Sequence, residues 1–157
     1  MILSILLILL TAFNNLQNQD MLPEEKISYR PATIAGSFYP SDKTELLTSI
    51  KEYLNKEKPI ISKKEEIFAI VAPHAGYVYS GWVAGYAYRE IIGRKYDAIV
   101  IIGPSHISAF HGVSIFDGDA YTTPLGISKI DKELANTIAK NGMNIKISRY
   151  GHNWDSG

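Results

Sequence analysis

The chain has 157 residues, 46% of them hydrophobic and 20% charged, and no cysteine. This composition excludes a disulfide-stapled scaffold and a thiolate zinc module, and it is too apolar for a disordered chain. Sixteen basic residues balance sixteen acidic ones, so no general basic surface for nucleic acid is expected.

Residues 2–10 are aliphatic apart from Ser4, and Thr11, Ala12 and Phe13 extend the run before residues 14–20 turn polar. The stretch is short of the ~20 residues that span a bilayer, so no transmembrane span is expected. It has the length of a signal-peptide core, with Ala12 as a candidate cleavage position and no Lys or Arg ahead of it. Residues 1–20 are read as a signal-like segment and 21–157 as one domain. Export through that segment is one expectation. The other is a start at Met21 with a cytoplasmic product.

Pro40-Ser41-Asp42 opens a helix, capped by Asp42 or Ser41, with Leu46, Leu47, Ile50, Tyr53 and Leu54 at helical spacing. Residues 56–64 are charged, contain Pro59, and read as a surface loop. Residues 67–72 form a continuous apolar run that suits a buried strand. Residues 80–92 read as a helix, with Gly93 just past its end. Residues 98–102 read as a second buried strand, stopped by Gly103-Pro104. Residues 113–116 suit a third strand, 131–140 a helix closed by Asn141-Gly142, and 145–148 another strand. Strands alternating with helices predict an α/β fold, a central sheet with helices on both faces.

The chemistry falls at the ends of the two best strands. Pro73-His74-Ala75-Gly76-Tyr77 follows the first, and Gly103-Pro104-Ser105-His106 follows the second. Ligands of open α/β sheets bind outside the carboxyl ends of strands. The histidines lie 32 positions apart, about one strand-helix-strand unit, so neighbouring strands would bring their imidazoles together. Two imidazoles suit a zinc, copper or iron ion, or a general base beside a hydrogen-bond donor. On spacing alone, loop histidines of no special role are the competing reading. His111 reads as a surface residue, and His152 has no evident partner. Tyr77 and Tyr79 are candidates to line a pocket, and Ser105 joins them as a candidate ligand-binding group. Ser80-Gly81 is a candidate helix start that favours an anion, and residues 122–126 a turn that folds over the same edge.

Five motifs then occur in one order: Arg30-Pro31-Ala32, Ala35-Gly36-Ser37-Phe38-Tyr39-Pro40, residues 73–81 beginning Pro73-His74-Ala75-Gly76, Gly103-Pro104-Ser105-His106, and Thr123-Pro124-Leu125-Gly126. The series resembles the Memo family, also called AmmeMemoRadiSam system protein B, from about Arg30 to Asn153. The resemblance implies a LigB-type fold like that of class III extradiol dioxygenases, in which two histidines and a carboxylate hold iron. It implies His74 and His106 as the catalytic and metal-binding histidines. Iron or copper is the implied cofactor, ahead of zinc. A radical-SAM protein is the implied partner of bacterial members, and a peptide or small-molecule ligand the alternative occupant of the pocket. Family members continue into a Glu-His-Ser-x-Glu segment, whereas here Trp154-Asp155-Ser156-Gly157 follows. The chain therefore reads as an N-terminal half carrying two of the family's pocket residues. No tight metal binding is expected of it, and an inactive fragment or a non-catalytic binding module stands as the alternative to a metal-dependent redox protein.

Overall fold

The computed structural model describes residues 27–56 and 58–152. The signal-like segment and the final residues from 153 onward lie outside the described residues. Among the described residues, five strands and three α-helices follow in the order β1 (Tyr29–Arg30), α1 (Lys43–Asn55), α2 (Tyr77–Tyr88), β2 (Val113–Ile115), β3 (Ala120–Thr123), β4 (Gly126–Lys129), α3 (Lys132–Asn141) and β5 (Ile145–Ile147). A 3-10 turn over Arg89–Ile91 extends α2.

The mixed α/β class is as expected. Strands β1, β3 and β4 form one sheet, with β1 parallel to β3 and β3 antiparallel to β4. Strands β2 and β5 form a parallel pair. The two segments meet through His152: its carbonyl accepts from Arg30 Nε at 2.8 Å, and its Nε2 donates to Ser114 O at 3.0 Å. The sequence offered no partner for this histidine, because both of its partners are backbone or distant in the chain.

The first and third helices start where their caps dictate. The Asp42 carboxylate accepts from Thr44 N and Glu45 N, both at 2.9 Å, and Asp131 accepts from Leu134 N at 2.9 Å. Each satisfies backbone donors that the first turn leaves open. The second helix begins at Tyr77, three residues ahead of the expected start. Ser80 therefore sits inside it, its Oγ donating to Ala75 O at 2.8 Å, and does not open an anion-binding terminus. Gly93 takes φ +71°, ending the helical region as its position suggested.

Helices α1 and α2 pack through an aromatic seam. The Tyr53 ring meets Trp82 at 4.9 Å and Tyr77 at 5.9 Å, both edge-on, and Tyr77 lies 5.7 Å from Tyr39. Gly81 and Gly85, one helical turn apart, are buried and let α2 close onto Tyr53. The hydrophobic core otherwise rests on Leu46, Ile67, Phe116 and Ala120.

Two expectations need correction. Residues 67–72 and 98–102 are not buried strands. Neither forms a ladder, and apart from the buried Ile67 and the half-buried Ile70 and Ala72 their side chains stand in solvent: Phe68 is 96% exposed, Val71 97%, Ile101 87% and Ile102 85%. A continuous apolar run becomes an interior strand only when strands flank it and layers cover both its faces. Among the described residues these runs receive neither. The second correction concerns residues 122–126. They close a hairpin, with Thr123 opposite Gly126 and the Thr123 hydroxyl accepting from Leu125 N at 3.2 Å. They do not line the histidine pocket.

Candidate functional site

The site begins with the loop 31–39. Gly36, at φ +86°, donates its N–H to Tyr39 O at 2.7 Å, and this folds the loop back on itself. The carbonyl of Phe38 then accepts from Tyr77 N at 2.7 Å. That bond fixes the turn 73–76 against the loop. Gly76 packs against the loop, where a Cβ would make an ordinary contact of 3.4 Å with Phe38 O. His74 is carried in this turn.

His106 arrives from the other run. Ser105 Oγ accepts from Ser108 N at 3.2 Å, tightening the bend that follows Gly103-Pro104. The rings of His74 and His106 lie 5.3 Å apart between centroids, tilted by 33°. Both are exposed. They share a pocket of about 590 Å³ with Phe38, Pro73 and Ala75. At their other ends, residues 63–68 and 93–98 line a second groove of about 680 Å³. The two runs are therefore neighbours pointing the same way, even though no ladder joins them.

The separation can be tested against a metal. A zinc-nitrogen bond is about 2.0–2.1 Å, and a ring nitrogen lies about 1.1 Å from its centroid. Two imidazoles on one tetrahedral ion therefore have centroids roughly 5 Å apart. The observed 5.3 Å fits. No cluster of three or more His, Cys, Asp or Glu that could hold a metal occurs among the described residues. The two imidazoles therefore meet in one pocket at a spacing compatible with such an ion.

The other candidates are placed differently. Tyr77 turns into the aromatic seam, where burial raises its phenol above the ordinary range, helped by the nearby Tyr39, Tyr88 and Tyr53. It therefore stays protonated at neutral pH. Tyr79 is exposed, and Ser105 is engaged in its turn. None of these three lines the histidine pocket. Phe38 does, and it was not singled out from the sequence. Its signal was present in Gly36, which bonds Tyr39 across a turn that contains Phe38. His111 is exposed, as expected.

Residues 30–153 match the family model described as Memo-like protein. The chain belongs to the Memo family. It is 36% identical over 129 residues to a MEMO1 family protein of Nitrosopumilus maritimus, an alignment covering 80% of this chain and 47% of that protein. A MEMO1 family protein of Methanothermobacter thermautotrophicus is 37% identical over 129 residues, covering 78% of this chain and 46% of its own. The similarity reaches animals: the protein memo-1 homolog of Caenorhabditis elegans is 33% identical over 105 residues, covering 67% of this chain and 29% of its own. The chain spans about half the length of the archaeal relatives it matches.

Proposed function

We infer that His74 and His106 form two thirds of a transition-metal site whose third donor lies outside the described residues. The observation that carries this reading is the ring separation of 5.3 Å inside one pocket. Imidazole donors suit iron, copper or zinc, and a site with open positions suits substrate or oxygen chemistry. A bound iron or copper ion would supply redox chemistry. The chain's own residues would hold it and shape its surroundings. His74 and His106 donate nitrogen, and Phe38, Pro73 and Ala75 provide an apolar wall that selects what reaches the ion. In this reading the protein is a Memo-type redox protein or enzyme, and a radical-SAM protein is its partner.

The test is a titration of the purified chain with copper(II), iron(II) and zinc(II), alongside His74→Ala and His106→Ala. Two imidazoles leave a tetrahedral ion two positions short. The expected result is a weak site, occupied only in the micromolar range or above, that either substitution abolishes. A stoichiometric submicromolar site lost in both variants would show that the chain already holds a full ligand set. Binding that survives both substitutions would remove the histidines from the metal.

A second reading is favoured by the pocket's largely apolar wall: a ligand-binding module without turnover. It predicts that a peptide or small aromatic ligand binds the metal-free chain, and that His74→Ala leaves that binding within a few-fold. Under either reading the chain does not open catechol rings with iron(II) and oxygen. Accumulation of ring-opened product would contradict both.

A further inference from the structure

The runs 67–72 and 98–102 form no ladder, yet their ends deliver His74 and His106 to one pocket. Something other than sheet pairing sets their register. A clasp of side chains at their far ends supplies it. The Glu90 carboxylate accepts from Ile60 N at 2.9 Å through Oε1 and from Ile61 N at 3.0 Å through Oε2. One oxygen on each of two successive N–H groups fixes both the position and the direction of that segment. Arg94 continues the clasp. Its Nε donates back to Glu90 O at 2.7 Å, which aims the planar guanidinium. Its Nη2 then donates to Ser62 O at 3.1 Å, and its Nη1 to Glu65 O. Lys63 Nζ adds a bond in the other direction, to Ile92 O.

These bonds tie residues 60–65 to 90–94. The first segment leads into 67–72 and on to His74, and the second into 98–102 and on to His106. We propose that Glu90 and Arg94 are positioning residues for the histidine pair: by clasping the two runs at their starts, they set how closely His74 and His106 meet at their ends. The offset along the chain carries the argument. Arg94 holds Ser62, 32 positions earlier, and His106 meets His74, also 32 positions earlier. Extended segments that leave a common point in one direction advance equally per residue, so the register pinned at the clasp is delivered at the pocket. A slip of one residue would carry one imidazole past the other by about 3.3 Å, against a ring separation of 5.3 Å. Run 67–72 is held at its pocket end as well, where Phe38 O accepts from Tyr77 N. The clasp is what refers the second run to that fixed point. The proposal takes from the metal reading only that the two histidines act as a pair, and its first test uses no metal.

The chain has no native thiol, so His74→Cys with His106→Cys gives a single cysteine pair. Its equilibrium with oxidised and reduced glutathione measures the effective concentration of one thiol at the other. Arg94→Ala, which removes a half-buried side chain, and Glu90→Ala, which removes a buried one, should each lower that value about threefold or more. Asp131→Ala, which removes the cap of α3, should leave it unchanged, although it also costs stability. All variants are compared at a temperature where they keep the circular dichroism of the parent. An unchanged value in folded Arg94→Ala would overturn the proposal. So would an equal fall in Asp131→Ala, or a parent pair no easier to oxidise than two separate thiols. Copper(II) titration of the chain with its native histidines separates this result from the metal reading. Arg94→Ala should weaken a histidine-dependent copper site by a similar factor and cost nothing further in His106→Ala, where the pair is already lost. Copper binding indifferent to both histidines would end the metal reading, while the thiol result would still uphold the clasp.

Discussion

Replacing Gly85 with alanine should destabilise the fold, although alanine is the better helix former. An added Cβ would lie 2.6 Å from Tyr53 O and 2.9 Å from Tyr53 C. Ordinary contacts begin near 3.4 Å, so α1 and α2 must part by roughly 0.8 Å or strain locally. Overpacking of this kind costs about 1–3 kcal/mol, against a helix-propensity gain of about 1 kcal/mol. Because the clash is with backbone, the cost lies at about 2–3 kcal/mol, and the net loss of about 1–2 kcal/mol corresponds to a fall in Tm of roughly 3–10 °C. Gly81→Ala offers an internal comparison. Its Cβ would meet the Tyr53 ring, at 2.6 Å from Cε2, rather than backbone. Truncating Tyr53 to alanine should therefore relieve Gly81→Ala and leave Gly85→Ala as costly as before. Thermal unfolding followed by circular dichroism, across the parent, the three single variants and the two double mutants, measures this. A Tm for Gly85→Ala equal to or above that of the parent would refute the close helix approach.

Two further predictions concern charge. Asp119 accepts from Lys132 and from Ser28 N, which together hold its carboxyl below its ordinary value of 3.8, the Lys132 hydrogen bond being the larger cause. A depressed folded pKa gives stability that is present above the unfolded pKa and lost as pH falls through the folded one. The urea midpoint of the parent should therefore converge on that of Asp119→Asn below about pH 4 and stay above it at pH 6; a gap that does not change between pH 6 and 2 would contradict the ion pair. Arg89 is 1% exposed and stacks over the Tyr86 ring at 3.8 Å, yet none of its guanidinium nitrogens makes a hydrogen bond. Burying an unsatisfied charge is unfavourable, so Arg89→Met should raise Tm by several degrees, and a lower Tm would show that the stacking outweighs the desolvation.

Local signals in the sequence were legible where the chain itself satisfies them. Asp42 and Asp131 cap helices because a carboxylate within three residues reaches the open N–H groups, and no distant partner is needed. The strands at Val113–Ile115 and Ile145–Ile147 were also readable, and they pair with each other in parallel. The strand Tyr29–Arg30 was not, because two residues carry no periodicity. Its place comes from Ser28 N donating to the Asp119 carboxylate and from pairing with Ala120 and Tyr121, 91 positions away. The hairpin of β3 and β4 was missed for the opposite reason. Its turn was recognised, but β3 buries only Ala120 fully and β4 is exposed throughout, so apolar patterning was silent.

The runs at 67–72 and 98–102 show why a strong apolar signal can predict a position without predicting a ladder. Periodicity reports how much surface a segment must hide, while pairing depends on what lies beside it. Yet the expected approach of the two histidines is seen. His74 and His106 come together because their turns are fixed independently of any ladder. The Phe38 carbonyl holds the first turn, through Tyr77 N, and Ser105 closes the second on Ser108 N. The runs themselves stay adjacent at their opposite ends, where residues 63–68 face 93–98. Two segments that begin together, run in the same direction and have nearly equal length must also end together. The 5.3 Å separation follows from that constraint: two segments of this kind deliver two side chains to one edge, and any further group has to arrive on a further segment.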